Sequence, residues 1–204
     1  MYNRIESFWQ DDYFFPFYDV VIVGGGFTGL IAGIELLLRK PKYKVGVFES
    51  ETYGTLASSR NAGFMCYGSP TELLADIETY SEDAVVSLLA QKKEGYNTLL
   101  KHLAGNKHIY RKVHGYELFD KKHKDQALLQ ASEKLEYLNT CLQKGTGITN
   151  YFATPVTFRA NNAFDAIQFK QEGQLQPTAA VTALTKKFVN LGGLFHAANR
   201  ITAW

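Results

Sequence analysis

An α/β fold with a parallel sheet is predicted by three observations. A β-branched run, Val20-Val21-Ile22-Val23, leads directly into the glycine turn Gly24-Gly25-Gly26-Phe27-Thr28-Gly29. Apolar residues then recur at helical spacing through Leu30, Ile31, Ile34, Leu37 and Leu38, and Pro41 marks the stop. A second short apolar run follows, Val45-Gly46-Val47-Phe48. Strand, turn, helix and strand make a βαβ unit, which closes right-handed and sets both strands parallel in one sheet.

The other elements follow in chain order. Residues 1–17 form an aromatic-rich arm with Phe8, Trp9, Tyr13, Phe14, Phe15 and Phe17, and Pro16 blocks a helix across it. Residues 53–70 read as an ordered loop, because apolar residues are interleaved among Gly, Ser, Thr and Asn. A helix is predicted over residues 82–103, with Val85, Leu88, Leu89, Tyr96, Leu99, Leu100 and Leu103 on one face. Thr79 or Ser81 caps it and Gly105 ends it. Residues 110–119 have strand character. A second helix over residues 125–144 carries Leu128, Leu129, Leu135, Leu138 and Leu142, with Gly145 as its stop. Residues 156–159 and 166–170 read as strands. A third helix over residues 178–191 lies between Pro177 and Gly192-Gly193. Residues 194–196, and Ile201 onward, form the last strand.

Composition excludes several classes. A chain of 204 residues, 46% of them hydrophobic, is neither disordered nor too short for a core. Two cysteines, Cys66 and Cys141, make no disulfide framework. A net charge of +2 does not mark a nucleic-acid binder. Lys101, Lys107, Arg111, Lys112, Lys121, Lys122 and Lys124, with Tyr110 and Tyr116 among them, read as a solvated face rather than a nucleic-acid surface. Gly25, Glu35 and Arg39 break the apolar runs short of a membrane span, and the N-terminal segment has no apolar leader core. A cytoplasmic protein is expected. The histidines lack metal-ligand spacing, so no metal site is expected.

The glycine turn carries the chemistry. Gly24, Gly26 and Gly29 fit G-x-G-x-x-G between a strand and a helix. Gly24 permits the tight turn, Gly26 lets the backbone approach a pyrophosphate, and Gly29 lets helix and strand close together. Gly33 extends that contact by one helical turn. The helix N-terminus at Phe27 to Leu30 offers unpaired N–H groups and a positive dipole end to phosphate oxygens. Glu49 ends the second strand, where an acid accepts hydrogen bonds from a ribose hydroxyl, and its charge repels a 2′-phosphate. NADP is therefore disfavoured, while FAD and NAD both remain open on these residues.

Three stretches carry a resemblance. They are Tyr18 to Leu30 with Val47-Phe48-Glu49, then Ser58-Ser59-Arg60-Asn61-Ala62-Gly63, then Glu172-Gly173-Gln174-Leu175-Gln176-Pro177. Together they resemble the D-amino-acid-oxidase-like family of FAD-dependent oxidoreductases, in the glycine oxidase and gamma-glutamylputrescine oxidase branch. The resemblance implies FAD as cofactor and a Rossmann-like FAD-binding βαβ unit with a helical and β substrate-side insertion, truncated. It places Gly24, Gly26 and Gly29 at the pyrophosphate and Glu49 at the adenosine ribose. Ser58, Ser59, Arg60, Asn61, Ala62 and Gly63 would line the path from phosphate to flavin, and the Ile201 backbone would meet adenine. An ordinary surface salt bridge is the other reading of Arg60.

The implied organisation is an aromatic arm (1–17), a discontinuous, incomplete FAD-binding domain (18–80 and 173–204) and an insertion (81–172). Family members are longer, so the chain is expected to be the N-terminal part of a longer protein. The implied activity is oxidation of the C–N bond of an amino acid or amine by hydride transfer to flavin. A small-molecule substrate is the expected partner, and no catalytic residue is assigned. A non-catalytic nucleotide-binding or interaction module and an NAD-dependent dehydrogenase are the alternatives. Cys66 reads as a small buried residue, with a covalent flavin link as its other reading.

Overall fold

A computed structural model describes residue 7 and residues 17–52, 57–103, 108–120, 126–159 and 163–202. Phe8, Trp9, Tyr13, Phe14 and Phe15 of the arm, the Gly105 stop, and Lys107, Lys121, Lys122 and Lys124 lie outside these residues. The chain divides into two compact units, residues 1–62 with 176–204, and residues 63–175.

The first unit contains β1 (Val20–Val23), α1 (Phe27–Arg39), β2 (Val45–Phe48), α6 (Pro177–Asn190) and β7 (Leu194–His196). Its sheet runs β1-β2-β7, all parallel, with Val20 opposite Val45 and Gly46 opposite Leu194. Leu30, Ile34 and Leu37 of α1 and Val181, Leu184 and Phe188 of α6 are buried in its core. Val21 and Val23, whose side chains alternate with Ile22 along β1, stay 48% and 63% exposed. Phe17, the described end of the arm, is also exposed.

The second unit contains β3 (Phe64–Met65), α2 (Pro70–Thr79), α3 (Glu82–His102), β4 (Tyr110–Asp120), α4 (Gln126–Glu133), α5 (Leu135–Thr146), β5 (Phe152–Arg159) and β6 (Ala163–Leu175). β6 is the hub of its antiparallel sheet and pairs with β3, β4 and β5. Tyr67, Leu73, Val85, Leu89, Leu138, Leu142, Tyr151, Phe152, Ile167 and Phe169 belong to one buried cluster.

Several expectations need correction. Helix α2 was not foreseen: Ser69 caps it by accepting from the Glu72 N–H, while Glu72 takes the Ser69 N–H at 2.9 Å. Ser69-Pro70-Thr71-Glu72 is a capping box with Pro at the first position, a signal legible in the sequence. The predicted 125–144 helix is two helices that meet at Lys134, and Leu129 is exposed while Ala131 is buried. Gly145 does not stop α5. It lies inside the helix, where a Cβ would stand 2.7 Å from the Leu89 Cβ and from the Val86 carbonyl oxygen of α3. The true cap is Gly147, left-handed at φ 73°.

β5 and β6 are longer than the sequence patterns suggested, and no strand is found at Ile201 among the described residues. β7 ends at His196 because its partner β2 ends at Phe48. Residues 63–80, expected with the nucleotide unit, belong to the second unit. The reason is pairing: Phe64 and Met65 lie opposite Gln174 and Gly173 of β6, and α2 packs on α3, α4 and α5.

Candidate functional site

The glycine turn is built as its spacing requires. Gly24 sits at φ +103°, a conformation that side-chain-bearing residues rarely adopt, and its N–H donates to the Phe48 carbonyl at 2.8 Å. A Cβ on Gly29 would run into the Gly24 carbonyl oxygen and stand 3.2 Å from Ile22 Cγ2. Gly33 also touches β1 through Ile22, but its nearest neighbour is the Phe188 ring of α6, 2.7 Å from the Cβ position. Gly26 forms the N-cap of α1 without a side-chain bond of its own. The Phe27 N–H donates to Ser58 Oγ at 3.2 Å, and the N–H groups of Thr28 and Gly29 find no acceptor among the described residues.

Glu49 closes the other side of the turn. Its Oε2 accepts the Gly25 N–H at 2.8 Å and its Oε1 accepts the Glu51 N–H at 2.9 Å. Burial pushes the carboxyl up, but these donors and the Ser50 hydroxyl outweigh it and hold Glu49 below the usual carboxylate range. Its backbone is anchored as well: the Glu49 N–H donates to the His196 carbonyl, and the Asn199 N–H to the Glu49 carbonyl, both at 2.8 Å. These bonds hold the segment leading to Ile201 beside the end of β2.

The second predicted stretch opens with a short 3₁₀ turn at Ala57–Ser59. The Asn61 side chain donates to the Ser58 carbonyl at 2.9 Å, and Thr178 Oγ1 of α6 donates to the Ser59 carbonyl at 3.3 Å. Arg60, Asn61 and Ala62 are exposed, and Arg60 makes no ion pair among the described residues. Gly63 is buried, with φ 77°, and its carbonyl accepts the Leu175 N–H at 2.8 Å. Gly24, Gly26, Phe27, Thr28, Gly29, Glu49 and Ser58 thus converge on the N-terminus of α1, while Ser59 meets Thr178 of α6.

Other residues escaped sequence reasoning. Tyr18 OH lies 2.7 Å from His196 Nε2, and the His196 ring stacks on Phe48 at 4.5 Å between centroids. Burial pushes the His196 imidazole down. The signal was Gly46: a glycine inside a strand marks a close approach, and a Cβ there would meet the Tyr18 ring at 2.7 Å. In the second unit, Glu172 and Tyr151 form a buried pair.

Cys66 is exposed rather than buried; partial burial of the sulfur and the nearby Glu172 carboxylate push its thiol up. Among the basic residues, Lys101, Arg111 and Lys112 are exposed, and Arg111 Nε donates to Gln174 Oε1 at 2.7 Å. No group of three His, Cys, Asp or Glu residues able to hold a metal ion occurs among the described residues. No described helix is long and apolar enough to cross a membrane.

Strand, glycine turn, helix and acid-tipped second strand define a dinucleotide-binding α/β protein. The chain belongs to the FAD dependent oxidoreductase (DAO) family, whose model matches residues 19–204. The cofactor that goes with this membership is FAD.

Over 96 residues the chain is 34% identical to a mitochondrial L-2-hydroxyglutarate dehydrogenase of Dictyostelium discoideum, covering 45% of this chain and 22% of that protein. Over 48 residues it is 48% identical to glycine oxidase of Geobacillus kaustophilus (strain HTA426), covering 24% of this chain and 12% of that protein. Among solved structures, FAD-bound, dithionite-reduced L-alpha-glycerophosphate oxidase of Mycoplasma pneumoniae shares the fold. Its TM-score is 0.59 at 16% identity, over 91% of this chain and 46% of that one. Glycine oxidase of Bacillus cereus ATCC 14579 gives 0.55 at 16% identity, over 91% and 49%. The chain spans less than half the length of these relatives.

Proposed function

We propose that this chain carries the adenosine- and pyrophosphate-binding part of an FAD-dependent oxidoreductase that oxidises the C–N bond of an amino acid or amine. The observation behind this reading is the convergence of Gly26, Ser58 and Glu49 on the N-terminus of α1. There the free N–H groups of Thr28 and Gly29 would take pyrophosphate oxygens, and the backbone approaches closely because Gly26 has no Cβ. Glu49, already ionised by its N–H donors, would accept ribose hydroxyls. The exposed Arg60 would pair with a phosphate and Asn61 would offer its amide along the loop toward flavin, while the Ile201 backbone would border adenine. When bound, FAD supplies the hydride acceptor. The chain's own residues bind and orient it. Residues 1–62 with 176–204 would then form the nucleotide domain, and residues 63–175 the start of the substrate side.

Oxidation of a 2-hydroxy acid is the second reading. The match to L-2-hydroxyglutarate dehydrogenase favours it, because it spans more of the chain than the glycine oxidase match. A panel of amines, amino acids and 2-hydroxy acids, scored by anaerobic bleaching of flavin absorbance in the longer protein, separates the two.

Binding is tested by flavin-fluorescence quenching with wild type and Gly26→Val. A Cβ at Gly26 stands 2.7 Å from Ser58 Oγ before the valine methyls are added. The variant is expected to lose FAD binding while keeping its helical circular dichroism. Unchanged affinity would remove the phosphate from this turn.

A further inference from the structure

Strand β6 carries a buried acid that the nucleotide site does not use. Glu172 is 4% exposed, and no cation lies within ion-pair distance of it among the described residues. Its Oε1 accepts the hydroxyl of Tyr151, which is fully buried. Room for the carboxyl comes from Gly115 of β4, where a Cβ would stand 2.9 Å from Oε2. The register shift in the β4–β6 pairing, between Val113 and Gly115, falls beside it.

Burial without a cation favours the protonated form of a carboxyl. Ionising it strands a charge in a low-dielectric interior. A glutamine would fill the same space without that liability, so a carboxyl here brings in a proton equilibrium that an amide would not.

The segment that begins at Glu172 is also the one that holds β3. Gly173 and Gln174 pair with Met65 and Phe64, and the Leu175 N–H bonds the Gly63 carbonyl at 2.8 Å. Gly173 tolerates no side chain, since a Cβ would stand 2.7 Å from the Tyr110 ring, 2.9 Å from Tyr96 OH and 3.0 Å from the Met65 Cβ. Gly63 is the last residue of the 58–63 loop. β3 is only two residues long.

We propose that Glu172 is a positioning residue whose protonation state governs the pairing of β3 on β6, and through Gly63 the end of the 58–63 loop.

The titratable groups around it do not compete for this role. Tyr151 faces it from just before β5, Cys66 from just after β3 and Tyr96 from α3; burial pushes all three upward. Tyr96 is bonded to Tyr110 of β4, and Lys92 of α3 donates to the Tyr67 carbonyl at 3.0 Å. Burial also raises Glu172, against a smaller lowering by Tyr151. Glu172 is the carboxyl of this cluster, and its proton is the one the fold retains. The folded segment holds this proton more tightly than an opened one does, so pairing is full in acid and weakens as pH rises through the folded midpoint.

Amide hydrogen exchange of residues 63–67 in the 204-residue chain provides the test. In wild type, protection is expected to fall by up to about tenfold per pH unit between the Glu172 midpoint of the opened segment and that of the folded one, and to level off above the folded midpoint, beyond the base catalysis seen in an unstructured peptide. Glu172→Gln should abolish that extra pH dependence. Tyr151→Phe, which removes a donor to the carboxylate, should move the fall to higher pH. A purely structural role would shift protection by the same factor at every pH, and a parallel pH profile in Glu172→Gln overturns the proposal.

A second arm rests on the reading that this loop holds FAD: retention should weaken at alkaline pH in wild type and not in Glu172→Gln. If FAD binds at no pH while the exchange data behave as described, the cofactor reading fails and the role of Glu172 stands.

Discussion

Phe188 should make Gly33 irreplaceable even by alanine. Gly33 is a buried residue inside α1, where alanine would ordinarily add up to about 1 kcal/mol through helix propensity. Against this, a Cβ at Gly33 would stand 2.7 Å from Phe188 Cε2 and 3.0 Å from Cδ2. The ring cannot yield, because it is fully buried and also lies against Gly193, where a Cβ would overlap the ring. Overpacking of this kind costs about 1–3 kcal/mol, so Gly33→Ala should destabilise by about 1–2 kcal/mol net. Urea unfolding followed by circular dichroism gives the value, provided the slope with denaturant is unchanged. In a Phe188→Leu background the added methyl has space, and the penalty should shrink or reverse. A Gly33→Ala chain as stable as wild type, or a penalty untouched by Phe188→Leu, would refute the reasoning.

Two further predictions concern local bonds. Glu49 is held below the usual carboxylate range in the fold, so its contribution is present at neutral pH and lost as pH falls through the folded midpoint. Glu49→Gln should therefore lower stability near neutrality and narrow the gap to wild type in acid; a gap that is constant with pH would contradict this. Ser69→Ala removes the α2 cap and the hydroxyl that donates to Glu117 Oε1 at 2.9 Å. It should cost about 1 kcal/mol in urea unfolding, and restoring the cap with threonine or aspartate should recover part of it.

The nucleotide half of the fold was legible because each of its constraints is local. Glycines at 24, 26 and 29, a β-branched strand before them and an acid after the second strand lie within thirty residues, and each has its own steric or electrostatic reason. Gly145 was misread because its reason is not local. A glycine near a helix end usually signals a stop, but this one clears a path for Val86 and Leu89 of a helix more than fifty residues earlier. β3 was invisible for the same reason: two residues carry no period, and only the pairing with Gly173 and Gln174 makes them a strand. The Glu172 pair was missed because a single acid in a strand pattern gives no sign of its depth. Helix α2 is a different case, since its capping box was present in the sequence and went unread.

The division of the chain has a consequence for how it is made. Residues 63–175 are continuous, so every partner in that unit is available before β7 is made. The nucleotide unit is opened by β1 and β2 and closed by β7, whose Leu194 must find Gly46 across the whole intervening unit. Its β2–β7 pairing thus forms only after residues 63–175 have been made, and spans a long stretch of sequence. The βαβ turn is made well before β7 adds the third described strand to its sheet. Early folding of residues 63–175 shortens that search by holding their two ends, Gly63 and Leu175, one hydrogen bond apart.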